Sequence, residues 1–277
     1  MATVQELLRS ACDLPGDSPR RDAEILLGHC LQQSRSWLYT WPERQVSAAQ
    51  SAQYQHLLEE RRQGQPVAYL VGRREFWSLA LTVNQHTLIP RPETETLVSW
   101  ALELVLPVDA RVLDLGTGSG AIALALASER PGWQVAGVDA SEQALLVARR
   151  NAANLGLDRV SFRRSDWYQA VAAQNFDLLV SNPPYVDGND AHLQCGDVRF
   201  EPRSALVAPD AGMADLAGLA TGARGHLAEG GWLLLEHGCD QAAAVRALLA
   251  SAGFGQITTR CDLAGLERIT GGCLHAE

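Results

Sequence analysis

In this 277-residue chain the stretch that speaks most specifically of chemistry is Ser181-Asn182-Pro183-Pro184-Tyr185. An amide or an exocyclic aromatic amine is a poor nucleophile, because its nitrogen lone pair is delocalised into the neighbouring π-system. A site that methylates such a nitrogen must hold it in line with the incoming carbon and favour pyramidalisation. Two acceptors aimed at the two N–H bonds do this, and the Asn182 side-chain oxygen and the Pro183 main-chain carbonyl are suited to be that pair. Prolines at 183 and 184 remove two competing donors and restrict the backbone, which keeps the carbonyl pointed inward. Tyr185 can stack on the flat group being methylated. No pre-ionised general base is required, because the nitrogen becomes acidic only as it takes on positive charge, so orientation and electrostatics suffice.

A second constellation names the methyl source. Asp114-Leu115-Gly116-Thr117-Gly118-Ser119-Gly120 stands where a β-branched run meets a helical one, the carboxyl edge at which doubly wound sheets bind ligands. A dinucleotide turn reads G-x-G-x-x-G; here the spacing is G-x-G-x-G, with an acid two residues ahead and Ala121 behind. That departure favours S-adenosyl-L-methionine, which has no phosphate. The helix N-terminus can face its carboxylate and Asp114 suits its ammonium group. Asp139 ends the next strand and can accept both ribose hydroxyls, while Asp166 and Trp167 follow the third, where the acid suits the adenine amino group and the indole its ring face. A lone glycine turn is often tight packing and a lone strand-end Asp is often a cap. Three successive strand ends carrying matching groups point to a cofactor.

These residues need a scaffold, and beyond about residue 110 the pattern supplies one. Short β-branched runs at 111–115, 134–138, 160–163 and 176–181 alternate with helical stretches at 120–129 and 141–154. A helix at 214–228, a strand at 232–236, a helix at 240–252 and two closing strands near 254–260 and 267–274 follow, the last two as antiparallel neighbours. This is an α/β domain with a mainly parallel sheet. The first 70 or so residues read as helices instead: Ser18-Pro19 is an N-cap followed by proline at the first helical position, and Ser47-x-x-Gln50 is a capping-box pattern. Between the two, Trp77, Leu79, Leu81 and Val83 alternate as one strand face before a turn at 84–87, which suggests a linking hairpin. The expected division is a helical domain over 1–72, a hairpin linker over 73–92 and a cofactor domain over 93–277, with the helical part either a docking domain or a structural cap.

Composition narrows the partners. The formal net charge is −9 and the pI near 5.3, so the basic footprint of a duplex-binding protein is missing and direct nucleic-acid binding is not expected. All 23 basic residues are arginine, which excludes Schiff-base and P-loop lysine chemistry. No apolar run approaches the ~20 residues that cross a bilayer, and the N-terminus is not a secretory signal, so a cytoplasmic, membrane-free protein is expected. Six cysteines without a C-x-x-C motif read as free thiols. His192-x-x-Cys195 and His237-x-Cys239 lack the usual zinc spacings, and no metal is expected.

At these residues the sequence resembles the release factor glutamine methyltransferases, the PrmC/HemK family, nearly end to end. The discriminating stretches are Ser18-Pro-Arg-Arg-Asp-Ala-Glu-Ile-Leu-Leu27 and Arg74-Glu-Phe-Trp-Ser78 with Leu88-Ile-Pro-Arg-Pro-Glu-Thr-Glu95. The 114–120 turn and Asn182-Pro-Pro-Tyr185, followed by Gly196-Asp-Val-Arg-Phe-Glu-Pro202, complete the match. The resemblance implies a small N-terminal helical bundle, a β-hairpin linker and a Rossmann-like seven-stranded class I methyltransferase domain. It implies methyl transfer from S-adenosyl-L-methionine, leaving S-adenosyl-L-homocysteine, to the side-chain N5 of the glutamine in the Gly-Gly-Gln tip of class-1 peptide-chain release factors. Carried over, Gly116 to Gly120, Asp139, Trp167 and Asn182 are cofactor contacts, and Asn182, Pro183, Pro184 and Tyr185 are the glutamine clamp. A monomer is expected. The residues alone leave adenine N6 and cytosine N4 open, since both offer the same flat NH2 group; a non-catalytic partner-binding module ranks last.

Overall fold

The computed structural model describes residues 2–11, 13–16, 18–171 and 174–274. They form two compact units, Met1–Arg73 with Ala191–Phe200 and Arg74–Asp190 with Glu201–Glu277. Cys12 lies outside the described residues; Cys30, Cys195, Cys239, Cys261 and Cys273 are free thiols. No described helix is long and apolar enough to cross a membrane.

The first unit is helical: α1 (Val4–Arg9), α2 (Pro19–Leu31), α3 (Arg35–Thr40), α4 (Ala48–Arg62) and α5 (Val67–Val71). Ser47 caps α4 as its pattern predicts, accepting from the Gln50 N–H. Ser18 does not cap α2: its backbone is turned away from the extended conformation a capping side chain needs, and Pro19 carries the helix start. Thr3 and Glu6 form a reciprocal capping box on α1. Leu26, Leu27, Leu38, Tyr54 and Leu58 are fully buried at the centre of this unit. To the helices the structure adds residues 191–200, which the sequence pattern assigns to the C-terminal domain. The cause is Arg61, whose buried guanidinium pairs with Asp22 at 2.9 Å and Asp197 at 2.6 Å. A charge that far from water must find carboxylates wherever the chain can bring them.

The second unit opens with β1 (Arg73–Phe76) and β2 (Leu79–Thr82). Their turn falls at Trp77-Ser78, and both residues take the left-handed conformation, φ 51° and 60°; the turn expected at 84–87 also forms, the Thr87 N–H donating to the Asn84 carbonyl at 3.0 Å, but it follows β2 instead of joining the two strands. Neither Trp77 nor Ser78 is glycine, so their turn is strained unless held. It is held: the Trp77 N–H donates to Glu95 Oε1 at 2.9 Å and its indole Nε1 to Glu129 Oε1 at 2.8 Å.

A seven-stranded sheet follows, built from β3 (Arg111–Leu115), β4 (Gln134–Asp139), β5 (Ser161–Arg164), β6 (Phe176–Ser181), β9 (Leu227–Glu236), β10 (Phe254–Cys261) and β11 (Glu267–Leu274) in the order β10-β11-β9-β6-β3-β4-β5. A separate short pair, β7 (Val186–Asp187) and β8 (Val207–Ala208), lies between β6 and β9 in the chain. The five strands from β9 to β5 are parallel, and β11 and β10 close the sheet antiparallel, as the sequence pattern leads one to expect. Successive residues serve opposite faces. Val112, Leu178, Val180 and Leu234 join one core with α6 (Glu95–Glu103), α7 (Ala121–Glu129) and α8 (Glu142–Leu155). Leu113, Leu115, Leu179, Leu233 and Leu235 join the other with α9 (Ala214–Ala223) and α10 (Ala242–Ser251). Burial on both faces is why these strands read as continuous apolar runs.

Register decides what meets at the carboxyl edge. Leu115 lies opposite Val138 and Ser181, and Ser181 opposite Leu235. The next residues along these strands, Gly116, Asp139, Asn182 and Glu236, therefore emerge side by side at the point where strand order reverses, the usual ligand crevice of such sheets.

Candidate active site

A cavity of about 470 Å³ opens at this edge, within the second unit. Gly116, Thr117, Gly118, Ser119, Asp139, Asp166, Trp167, Asn182 and Pro184 of the residues expected from the sequence line it. Gly120, Pro183 and Tyr185 do not. Gly120 caps α7 at φ 82°, and a Cβ there meets Leu124, Ala148 and Phe162 at 3.1–3.2 Å, so it packs the helix rather than facing a ligand. Pro183 is buried, and its carbonyl is free of backbone hydrogen bonds among the described residues.

Asp114 also departs from its expected place. Instead of facing a ligand it is fully buried behind the turn, with Oδ2 accepting from the Thr117 hydroxyl at 2.6 Å and the Ala123 N–H at 3.2 Å. It holds the glycine loop against the start of α7. Burial pushes its carboxyl up to about 7. Gly116 and Gly118 are left-handed, φ 74° and 54°, which bares the backbone of the loop. The Trp167 ring lies 3.4 Å from where a Gly116 Cβ would stand, so glycine at 116 lets the indole approach. Asp139 accepts from Gly118 N–H at 2.9 Å and from Ser141 N–H at 2.8 Å, one bond on each oxygen, which fixes its carboxylate with lone pairs to spare. Burial raises its pKa as well. A cradle of bare backbone, a fixed carboxylate and an indole face together fit an adenosyl amino acid.

The chemical corner is built from the other side. Asn182 Nδ2 donates to Thr94 Oγ1 at 3.2 Å, while the Asn182 Oδ1 takes no protein partner among the described residues. The Tyr185 ring is packed into the α9–α10 core and its hydroxyl donates to Glu236 Oε1 at 3.3 Å, so it braces the corner instead of stacking in the cavity. Its carbonyl accepts from Gln241 Nε2 at 3.0 Å and leaves no room at Gly212, where a Cβ would come within 2.0 Å of it.

Sequence reasoning passes over several residues that complete the site. Asp215, at the start of α9, lines the cavity. Gln85, His86, Thr87 and Leu88 form a wall. Glu201 is buried and accepts from the Ile89 N–H at 2.9 Å while pairing with Arg91, so it ties the 88–91 segment to the 202–205 segment, both of which contribute wall residues. Asn151 of α8 joins Thr82 of the hairpin to the Ser119 carbonyl. A short motif scan has no signal for partners this distant in sequence, although Glu201 does sit inside a matched stretch.

His237 is buried between Thr270 Oγ1 and the Gly238 carbonyl, both at 2.8 Å, and Cys239 is exposed. His192 and Cys195 belong to the first unit. Among the described residues no group of three His, Cys, Asp or Glu side chains is placed to hold a metal.

Two fully buried carboxyls, Asp114 and Glu236, are both raised to about 7 by burial. A carboxyl that binds its proton more tightly folded than unfolded lends stability at low pH, and loses it as pH rises from about 4 through about 7. Between pH 7.5 and 6.5 the cofactor-free protein should therefore gain about 1.4 kcal/mol, or roughly 2–4 °C in Tm. Below about 6.5 the half-buried His29 and the buried His237, whose pKa values burial lowers, oppose the trend. Calorimetric scans across that window check the sign; a Tm that falls between pH 7.5 and 6.5 refutes it.

Comparisons with known proteins agree with this geometry. The PrmC N-terminal domain family matches residues 4–72 and the methyltransferase small domain family matches residues 94–202. A release factor glutamine methyltransferase from Shewanella oneidensis is 52% identical over 256 residues, 92% of this chain and 90% of that protein. One from Vibrio cholerae is 48% identical over 99% of this chain and 98% of its own length, and one from Escherichia coli K12 is 50% identical over 92% of each. A solved methyltransferase from Pyrococcus furiosus shares the fold at TM-score 0.55, with 17% identity over 72% of this chain and 90% of that one. With the class I methyltransferase sheet, the glycine turn and the Asn-Pro-Pro-Tyr corner in place, the chain belongs to the release factor glutamine methyltransferase family.

Proposed function

We propose that the protein transfers a methyl group from S-adenosyl-L-methionine to the side-chain N5 of the glutamine in the Gly-Gly-Gln motif of class-1 release factors, and so tunes translation termination. The observation that carries this is the Asn182 side chain: Nδ2 is engaged by Thr94, leaving Oδ1 for a donor in the cavity. S-adenosyl-L-methionine, when bound, supplies an electrophilic methyl group. Gly116, Gly118, Asp139 and Trp167 would hold it, with Asp166 and Asp215 near the indole. Asn182 Oδ1 and the Pro183 carbonyl take the two amide hydrogens of glutamine and hold its nitrogen pair out of conjugation. No side chain needs to remove a proton before the nitrogen becomes cationic. The relatives, named for this activity, support the substrate. On this reading the enzyme works in the cytoplasm as a monomer, and the helical unit docks the release factor.

Mass spectrometry of a release factor incubated with enzyme and labelled cofactor tests the substrate, beside DNA and RNA controls. Label on the Gly-Gly-Gln glutamine is expected; label on a nucleobase amine overturns the reading. Asp139→Ala should weaken cofactor binding by about 1–3 kcal/mol, the loss typical of an unmatched buried polar group, as read by titration calorimetry. Unchanged affinity would remove Asp139 from the cofactor site.

A further inference from the structure

We propose that Asn151 is a positioning residue for the cofactor loop: it holds the Ser119 carbonyl out of the cavity, so that this stretch of the loop shows only N–H donors to the carboxylate of the cofactor's amino-acid end. The inference rests on the proposed function, which supplies that carboxylate, and deepens it.

Asn151 of α8 is fully buried and does not itself line the cavity, and both hydrogens of its carboxamide are engaged. Nδ2 donates to the Ser119 carbonyl at 2.9 Å and to the Thr82 carbonyl at 3.0 Å, while Oδ1 accepts from the Thr82 N–H at 2.7 Å. Only one flip fits: reversed, Oδ1 would face two carbonyl oxygens and Nδ2 an N–H. An aspartate would set a carboxylate against both carbonyls, and an apolar residue would leave the Ser119 carbonyl and both Thr82 groups unpaired. Reach matters too. Ala148, one turn earlier on α8, lies 3.2 Å from where a Gly120 Cβ would stand. Gly120, which faces no ligand, thus lets α8 come near enough for Asn151 to touch the loop.

The direction of the Ser119 carbonyl decides the sign of the loop's surface. An oxygen aimed into the cavity would repel a ligand carboxylate; turned onto Asn151, it is removed from the ligand's path. What remains are donors. Ser119, Ala121 and Ile122 line the cavity, and none of their N–H groups has an acceptor among the described residues. The Gly118 and Gly120 N–H groups beside them are already engaged, by Asp139 Oδ2 and the Thr117 carbonyl. Ala121 and Ile122 open α7, a nine-residue helix, where unpaired N–H groups carry partial positive charge.

The test uses the full-length protein and two ligands that differ at the end in question: S-adenosyl-L-homocysteine, which carries the carboxylate, and methylthioadenosine, which lacks it. Asn151→Ala should raise the Kd of S-adenosyl-L-homocysteine about tenfold or more in titration calorimetry, while that of methylthioadenosine moves by less than about threefold. A role confined to packing would weaken both alike. In the NMR spectrum of the wild-type protein both Asn151 side-chain NH2 protons should exchange slowly, and the Ser119, Ala121 and Ile122 amides should shift far more with S-adenosyl-L-homocysteine than with methylthioadenosine. Equal losses for the two ligands, an unchanged Kd for S-adenosyl-L-homocysteine, or a rapidly exchanging Asn151 NH2 group overturns the proposal. Should Asn151→Ala not fold, the NMR measurements decide. If the wild-type protein binds neither ligand, the cofactor reading fails and takes the proposal with it; if it binds both and the two losses are equal, the proposal fails alone.

Discussion

Asn182→Ala lowers the turnover of methyl transfer by about 100-fold or more and leaves cofactor binding measurable, the behaviour of a group whose interaction is made chiefly in the transition state. Asn182 stands at the end of β6, its neighbour Ser181 is locked to the Leu115 carbonyl at 2.6 Å, and its own Nδ2 is held by Thr94. Its Oδ1 is thus a pre-oriented acceptor needing no reorganisation when a planar amine becomes pyramidal. Alanine removes the acceptor and leaves the scaffold. Single-turnover kinetics with a glutamine peptide, alongside calorimetric cofactor titration, separates the two quantities. Turnover within a few-fold of wild type would mean the amide is oriented by something else.

Glu201→Ala should cost about 3–5 kcal/mol of stability, the range seen when one partner of a buried ion pair is removed, and so lower Tm by roughly 10 °C. Glu201 is buried and serves the Ile89 N–H and the Arg91 guanidinium at once. Without it both groups lose their acceptor and the 88–91 wall loses its tie to the 202–205 segment. Glu201→Gln, which keeps an acceptor, should lose less. Because both segments line the cavity, the KM for substrate should rise together with the loss in Tm. A Tm shift under about 2 °C would show that the segments are held by other contacts.

How much of this was legible in the sequence depends on distance along the chain. Asp139, Trp167 and Asn182 announce themselves because each follows a strand whose period and β-branching can be read locally, and parallel register then aligns the strand ends. The hairpin turn was not legible: Trp77 and Ser78 carry no turn signature, and they adopt left-handed backbone only because Glu95 and Glu129 secure them from other elements. Glu236 reads as the last residue of an apolar strand, and its hydrogen bond with Tyr185 follows from sheet order, which periodicity does not specify. Asp114 was misplaced for a related reason. An acid two residues before a glycine turn suits a ligand's ammonium, but the strand's pleat turns its side chain inward, onto Thr117 and α7. The attachment of 191–200 to the helical unit likewise depends on Arg61 and Asp197, 136 residues apart.

A crystal structure of the enzyme with S-adenosyl-L-homocysteine and a Gly-Gly-Gln peptide tests the central claim most directly. The account predicts the glutamine side chain in the cavity with its two amide hydrogens on Asn182 Oδ1 and the Pro183 carbonyl, and its nitrogen facing the thioether sulfur. A glutamine bound elsewhere, or an Asn182 side chain whose Nδ2 faces the peptide, would contradict it.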